Sequence, residues 1–157
     1  MKNIFLSHYV EDDEKVQQIK QRLTDKGYEA RNFSVDSTKH KDGRTPSNAV
    51  IKRYLEMRIR LSSVFICVIG PKTHTRPWVD FEIQEAIRQG KQIVGIFIHG
   101  YKDIAQIPYA LDAESNPIIG WNSIEKLGDI IEGNYDLEDI NQDLPKQQSH
   151  VIQRIKC

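Results

Sequence analysis

Cysteine is scarce in this 157-residue chain: Cys67 lies inside an apolar run and Cys157 occupies the last position. Two thiols so placed make neither a disulfide framework nor a metal cluster, and the expected location is reducing and cytoplasmic. No apolar stretch approaches the roughly 18 to 20 residues that a spanning helix needs, so no membrane association is expected. The opening MKNIFLSH has too short an apolar run for a signal peptide and passes directly into a strand pattern. Net charge is also absent, since 22 basic residues balance 22 acidic ones. That balance removes an overall polyanion-binding signature, and no nucleic-acid reader motif accompanies the local basic residues. The charge is unevenly spread, however: residues 1 to 100 hold 17 Lys/Arg against 12 Asp/Glu, and residues 101 to 157 hold 5 against 10. Such a split can steer an anionic ligand toward the first part, or one copy toward another.

The usual phosphate-binding motifs are missing. After the first strand pattern the chain reads SHYVEDDEKV, with neither GxGxxG nor GxxxxGKS/T, and Gly70, Gly90, Gly95 and Gly100 make no dinucleotide fingerprint. A hydride-transfer Rossmann enzyme and a P-loop NTPase are therefore poor readings. Clustered Glu11, Asp12 and Asp13 suit a Mg²⁺-holding phosphoacceptor, yet Ile69 is followed by Gly70 and Pro71 where that device wants its aspartate. His40, His74, His99 and His150 have no zinc-like spacing, so no metal site is expected.

What is present is an organising stretch from Leu61 to His99. A near-continuous apolar run, Val64 to Ile69, crosses the turn-rich GPKTHTRP into a helical pattern from Trp78 to Gln89. Gly90 stops it, and a second apolar run, Ile93 to Ile98, follows. Two such runs joined by an amphipathic helix read as a βαβ unit, its strands buried on both faces of a parallel sheet. Ahead of it lie a strand over residues 3 to 7, a helix carrying Val16, Ile19 and Leu23, and a strand from Tyr28 to Phe33. Asp12 or Asp13 is the expected cap of that first helix, and Gly27 its terminator.

Residues Ser34 to Thr45 read as a surface loop. Thr45 and Pro46 then open a helix whose apolar positions are Ala49, Val50, Tyr54, Met57 and Leu61. Basic residues prevail around it, including Lys39, Lys41, Arg44, Lys52, Arg53, Arg58 and Arg60. Beyond Ile98 the expectations are a loop with one helical turn, a short strand within Pro117 to Gly120, and a helix burying Ile124, Leu127, Ile130 and Ile131. GNYDLEDINQDLP reads as loop or short helix, and QSHVIQRI as a terminal helix. Four or five strands alternating with helices give one α/β domain over residues 1 to 157 with a mainly parallel sheet. Ligands of such sheets sit beyond the carboxyl ends of the strands, where the residues after Ser7, the Ser34 to Thr45 loop and the loop from Gly70 to Pro77 gather.

Glu82 is the leading candidate for chemistry. On a helical wheel Val79, Ile83, Ala86 and Ile87 form the apolar stripe; Glu82 lies at its border, Asp80 and Glu85 outside it, and Phe81 roughly opposite. A carboxylate there can grip ribose hydroxyls or stabilise positive charge at an anomeric carbon; it can equally cap or salt-bridge the helix start. Trp78 suits stacking on a base or nicotinamide ring, and also anchoring in the core. Ser7, His8 and Tyr9 end the first strand, where their groups can bind a nucleotide or cap the next helix, and His8 can transfer a proton near neutral pH.

The segments IFLSHYVEDDEKVQQIKQRLTDKGYEA and SSVFICVIGPKTHTRPWVDFEIQEAIRQGKQIVGIFI resemble the Toll/interleukin-receptor (TIR) family. The similarity is strongest to its compact bacterial and archaeal branch, which includes the TIR-like subunit of Thoeris antiphage systems. It spans residues 4 to 98 and leaves residues 99 to 157 to complete the domain or extend it. The resemblance implies a three-layer flavodoxin-like/TIR-like fold and cleavage of the nicotinamide–ribose bond of NAD⁺, a substrate and not a cofactor. The product would be ADP-ribose or a cyclic isomer serving a separate effector.

On this resemblance Glu82 matches the catalytic glutamate of NAD-consuming members. Trp78 matches the aromatic residue at the start of that helix, and Ser7 and His8 match the strand end beside the nucleotide pocket, with Tyr9 next to them. Residues Ser34 to Thr45, including Asp36, Lys39, Lys41 and Arg44, match the loop that gates the pocket and mediates assembly. With Phe81 they are the candidates for a homo-oligomeric contact. Two other readings stand beside this one: a non-catalytic TIR-like or flavodoxin-like binding module, and a nucleoside deoxyribosyltransferase-like enzyme.

Overall fold

The computed structural model describes residues 2–32, 47–102, 104–142 and 144. Five parallel strands form one sheet in the order β2-β1-β3-β4-β5. They are β1 (Asn3–Ser7), β2 (Glu29–Asn32), β3 (Val64–Ile69), β4 (Gln92–Phe97) and β5 (Ile118–Ile119). The helices are α1 (Asp13–Asp25), α2 (Asn48–Arg60), α3 (Pro77–Arg88), α4 (Leu127–Ile131) and α5 (Leu137–Asn141). This is the expected α/β architecture, with β3 buried at all six positions because helices cover both of its faces.

Alternation along the strands divides the core in two. Ile4, Leu6, Val64, Ile66 and Val68 face Val16, Ile19 and Leu23 of α1 together with Leu127, Ile130 and Ile131 of α4. Phe5, Phe65, Cys67 and Ile69 face Ile51, Leu55 and Ile59 of α2 and Val79, Ile83 and Ala86 of α3. Phe5 and Phe65, register partners on β1 and β3, stack with ring centroids 5.5 Å apart. Gly27 and Gly90 end α1 and α3 at φ of +89° and +71°, a backbone state that costs glycine least.

Four expectations are corrected. The helix α2 starts at Asn48 behind Ser47, whose hydroxyl accepts from the Val50 N–H at 3.3 Å; Thr45 and Pro46 lie outside the described residues. Of the apolar positions read for that helix, only Tyr54 packs on the core. Val50, Met57 and Leu61 are exposed, whereas Ile51, Leu55 and Ile59, at intervals of four, reach the core. The chain offers two apolar stripes here, and the β-branched and leucine stripe wins because it meets Phe5 and Phe65.

In α3, Ile87 is exposed while Glu85 is buried, its carboxylate held by Arg88 and Gln89. Opposite charge at i+3 satisfies it, and Arg88 holds its carboxyl below the usual range. Asp12 occupies the cap position of α1, yet its side chain makes no capping hydrogen bond there. Its carboxyl is instead buried against Gly70 at the end of β3, beside the Thr73 hydroxyl that also accepts from the Gly70 N–H at 2.8 Å.

Toward the C-terminus, Pro117–Gly120 contributes the two-residue β5, and residues 121–126 form a 3₁₀ turn leading into α4. Ile124, Leu127, Ile130 and Ile131 are buried as expected. The segment after Ile98 is turns without a helix, and the ambiguous acidic segment contains α5. From α5, the Asn141 side chain accepts from the Ile118 N–H at 2.9 Å and donates to the carbonyls of Ala113 and Asn116. The expected terminal helix lies outside the described residues, and no described helix is long and apolar enough to cross a membrane.

A Cβ on Gly70 would fall 2.2 Å from Asp12 Oδ2. Gly70→Ala is expected to lower unfolding stability in urea by about 1–3 kcal/mol, as overpacking does. Combined with Asp12→Ala, which removes the clashing atoms, the second change should cost less than in the native background, so the double-mutant cycle shows coupling.

Candidate active site

The carboxyl end of the sheet brings β1 and α3 together. β1 ends at Ser7, and Ser7 shares register with Cys67 of β3, which places both side chains toward the helix below. Pro77 opens α3 at a position where its missing N–H costs nothing. Val79, Ile83 and Ala86 seat the helix on the sheet and carry Glu82 inward with them. Glu82 is 2% exposed and Ser7 fully buried. The Ser7 hydroxyl donates to Glu82 Oε1 at 3.1 Å, while Glu82 Oε2 is buried with no hydrogen-bond partner among the described residues.

Removal of the carboxyl from water pushes its pKa well above the ordinary 4.5, and the Ser7 hydrogen bond opposes that rise only in part. Burial, reinforced by nearby Glu82, likewise pushes the Cys67 thiol up, so it stays a neutral wall of the site. In the free chain Glu82 is therefore a neutral acid over part of the range where an exposed glutamate is charged. Among the described residues it makes neither a capping bond nor an ion pair; its hydrogen bond there is the one from Ser7.

His8, one residue on, turns toward α1. Its ring is buried and its Nε2 lies 3.2 Å from Asp13 Oδ1, while desolvation lowers its pKa against the pull of that carboxylate. His8 thus braces β1 on α1, away from the Ser7–Glu82 pair. Tyr9 is half-buried at the rim, with the Arg76 guanidinium 4.3 Å from its ring centroid. Trp78 is half-buried and packs edge-on against Phe81 at 5.7 Å. Phe81, read as opposite the apolar stripe, is half-buried and packs on the core, with Lys52 of α2 over its ring. The structure thus gathers Ser7 and Glu82 directly and places Tyr9 and Trp78 near the same end; Asp36, Lys39, Lys41 and Arg44 lie outside the described residues.

Sequence reasoning missed Arg76, Cys67 and the Asp12–Gly70 contact. Arg76 carries a legible signal, a cation immediately before the helix-opening Pro77, but its tyrosine partner is distant in sequence. Asp12 was weighed only as a cap or metal ligand, whereas its burial depends on a glycine 58 residues away.

Residues 5–103 match the family model described as Thoeris protein ThsB, TIR-like domain. The chain belongs to the Thoeris ThsB TIR-like family. A relative from Bacillus cereus (strain MSX-D12), named "Putative cyclic ADP-D-ribose synthase ThsB1", is 29% identical over 104 residues, covering 65% of this chain and 54% of the relative. The chain thus spans about half the length of that curated relative. The TIR domain of the Toll-related receptor TRR-2 from Hydra magnipapillata superposes with a TM-score of 0.56 at 15% identity, covering 85% of this chain and 94% of that one. The Clostridium botulinum CMP N-glycosidase BcmB gives 0.54 at 16% identity, with 83% and 99% covered. At these identities the two structures establish the fold of the TIR-like chain alone.

A carboxyl whose folded pKa lies above its unfolded value binds more protons in the folded state between the two values, so folding stability falls as pH rises through that window. For Glu82 the window opens at about the ordinary 4.5 and extends upward. Glu82→Gln, which cannot ionise, is expected to lose this decline: in urea unfolding at a series of pH values, the stability of the variant relative to native should increase with pH.

Proposed function

We propose that this TIR-like chain cleaves the nicotinamide–ribose bond of NAD⁺ and produces ADP-ribose or a cyclic ADP-ribose isomer as a signal in antiphage defence. The observation that carries the reading is the buried Glu82 carboxyl: Ser7 fixes one oxygen, and the other is left unpartnered at the carboxyl end of the sheet. Family membership and the name of the Bacillus cereus relative support the same reaction class.

In this reaction the bond from the ribose anomeric carbon to the pyridinium nitrogen breaks, and its electron pair leaves with neutral nicotinamide. Positive charge then accumulates on the ribosyl carbon and ring oxygen. A carboxylate fixed in a dry site stabilises that charge more than it stabilises the ground state. The pyridinium itself is a cation, and its arrival beside Glu82 favours loss of the carboxyl proton, opposing the desolvation that otherwise keeps it on. Trp78, at the start of α3, would stack on the leaving ring. Water at the anomeric carbon gives ADP-ribose; an adenine nitrogen or hydroxyl held there gives a cyclic isomer, and proximity decides between them.

Glu82 is nearly inaccessible in the single chain, so this mechanism requires the site to open, or to be completed by another copy, before substrate reaches it. A homo-oligomer assembled through the 34–45 loop and the neighbourhood of Phe81 would meet that requirement. Activity would then depend on protein concentration, and the product would pass to a separate effector. A cytoplasmic location is consistent with NAD⁺ as the substrate.

Concentrated protein incubated with NAD⁺ and read by mass spectrometry is expected to release nicotinamide. Glu82→Gln should lower that rate by about 10²–10³, the scale on which loss of one preorganised electrostatic group acts. Circular dichroism checks that the variant is folded. Undiminished release would remove Glu82 from the mechanism, and saturable NAD⁺ binding without product would identify a binding module instead.

A further inference from the structure

We propose that Arg76 receives the diphosphate of the dinucleotide whose ribosyl bond lies at Glu82, an assignment that rests on the reading just given. The Arg76 guanidinium lies over the Tyr9 ring, 4.3 Å from its centroid, and Tyr9 belongs to the loop leaving β1 just beyond Ser7. A cation–π contact is made to the ring face and does not itself consume a hydrogen-bond acceptor for the guanidinium's N–H donors. Lys72, in the turn before α3, is neutralised by Glu11 at 3.6 Å, whereas no carboxylate lies within ion-pair distance of Arg76 among the described residues. A cation held against an aromatic ring, its N–H donors taken by no hydrogen bond or ion pair among the described residues, suits an anionic ligand with paired oxygens.

Position points the same way. Arg76 immediately precedes α3, whose first turn has no side-chain cap and so adds partial positive charge beside the guanidinium. Glu82 lies six positions after Arg76, an axial rise of about 9 Å along α3. That separation suits a ligand with a ribose and its 5′ carbon between scissile bond and diphosphate. An open cavity of about 120 Å³ borders Arg76, with His74, Asp80, Pro108 and Tyr109 on its wall, and Glu82 lies outside that lining. Asp80 is the one carboxylate on its wall, and the Gln84 amide donates to its Oδ2 at 2.7 Å, which tempers its repulsion of an anion.

Ligands that differ only in the diphosphate test the assignment without turnover. Calorimetric titration of native protein, Arg76→Gln and Arg76→Lys with ADP-ribose, inorganic pyrophosphate and nicotinamide riboside separates the charge from the rest of the molecule. Loss of one charge-assisted contact should weaken ADP-ribose binding by about tenfold or more in Arg76→Gln. Arg76→Lys should fall between, because it keeps charge and loses the fork. Nicotinamide riboside, lacking the diphosphate, should bind all three alike, and added salt should weaken ADP-ribose binding to native protein more than to Arg76→Gln.

Unchanged ADP-ribose affinity in a folded Arg76→Gln, equal weakening of nicotinamide riboside, or absence of ADP-ribose binding to native protein would each overturn the proposal. Tyr9→Leu gives a second variant: it leaves the charge in place but frees the guanidinium, and a smaller loss confined to the diphosphate ligands is expected. These binding results are independent of nicotinamide release, so failure of the NAD⁺-cleavage reading and failure of the Arg76 assignment are told apart.

Discussion

A serine hydroxyl at the end of β1 donates across 3.1 Å to a carboxyl on α3, in a space from which water is excluded. The contact joins two segments 75 residues apart and adds a directional tie to the apolar seat of α3 on the sheet. Burying a carboxylic acid is costly unless it is hydrogen-bonded or kept neutral, and here both conditions operate. The site's charge is consequently a product of packing. Val79, Ile83 and Ala86 drive the helix down, the helix takes Glu82 out of solvent, and desolvation then retains its proton.

The pleat of a single strand distributes the remaining roles. Ser7 and His8 are consecutive, and their side chains leave in opposite directions. One enters the α3 side to meet Glu82; the other enters the α1 side to meet Asp13. A histidine at a strand end beside a glutamate invites an acid–base pairing on paper, but the sheet stands between the two. The same end of the sheet is held together by Asp12 against Gly70 and by Arg76 across Tyr9. The segment between β3 and α3 is thereby tied to the segment between β1 and α1, two stretches that are distant in sequence.

The fold was legible wherever a segment has one dominant period. The apolar runs of β3 and β4, the helix between them and the glycine after it all sit within a residue of where the sequence puts them. Reading failed where a helix carries two apolar stripes. In α2 the choice between Val50, Met57, Leu61 and Ile51, Leu55, Ile59 is made by the aromatic pair Phe5 and Phe65, which no local window contains. It failed again at Glu85, because a carboxylate within a short helical step of an arginine can be buried as part of an ion pair while looking like a surface residue. At the site, the motif resemblance singled out Glu82 and Ser7, and the structure adds what a motif does not contain: which oxygen is held, which is free, and which side of the sheet His8 takes.

β5 is two residues long, and its outward Ile118 N–H is taken by the amide of Asn141, whose nitrogen at the same time holds Ala113 and Asn116. An unpaired strand border is ordinarily a template on which another chain can lay a strand. One asparagine occupies that template here, so growth of the sheet from molecule to molecule is barred on this flank. Whatever copies gather around the chain must meet it elsewhere than along β5, and Asn141 acts as a selvedge that keeps the fabric from running on.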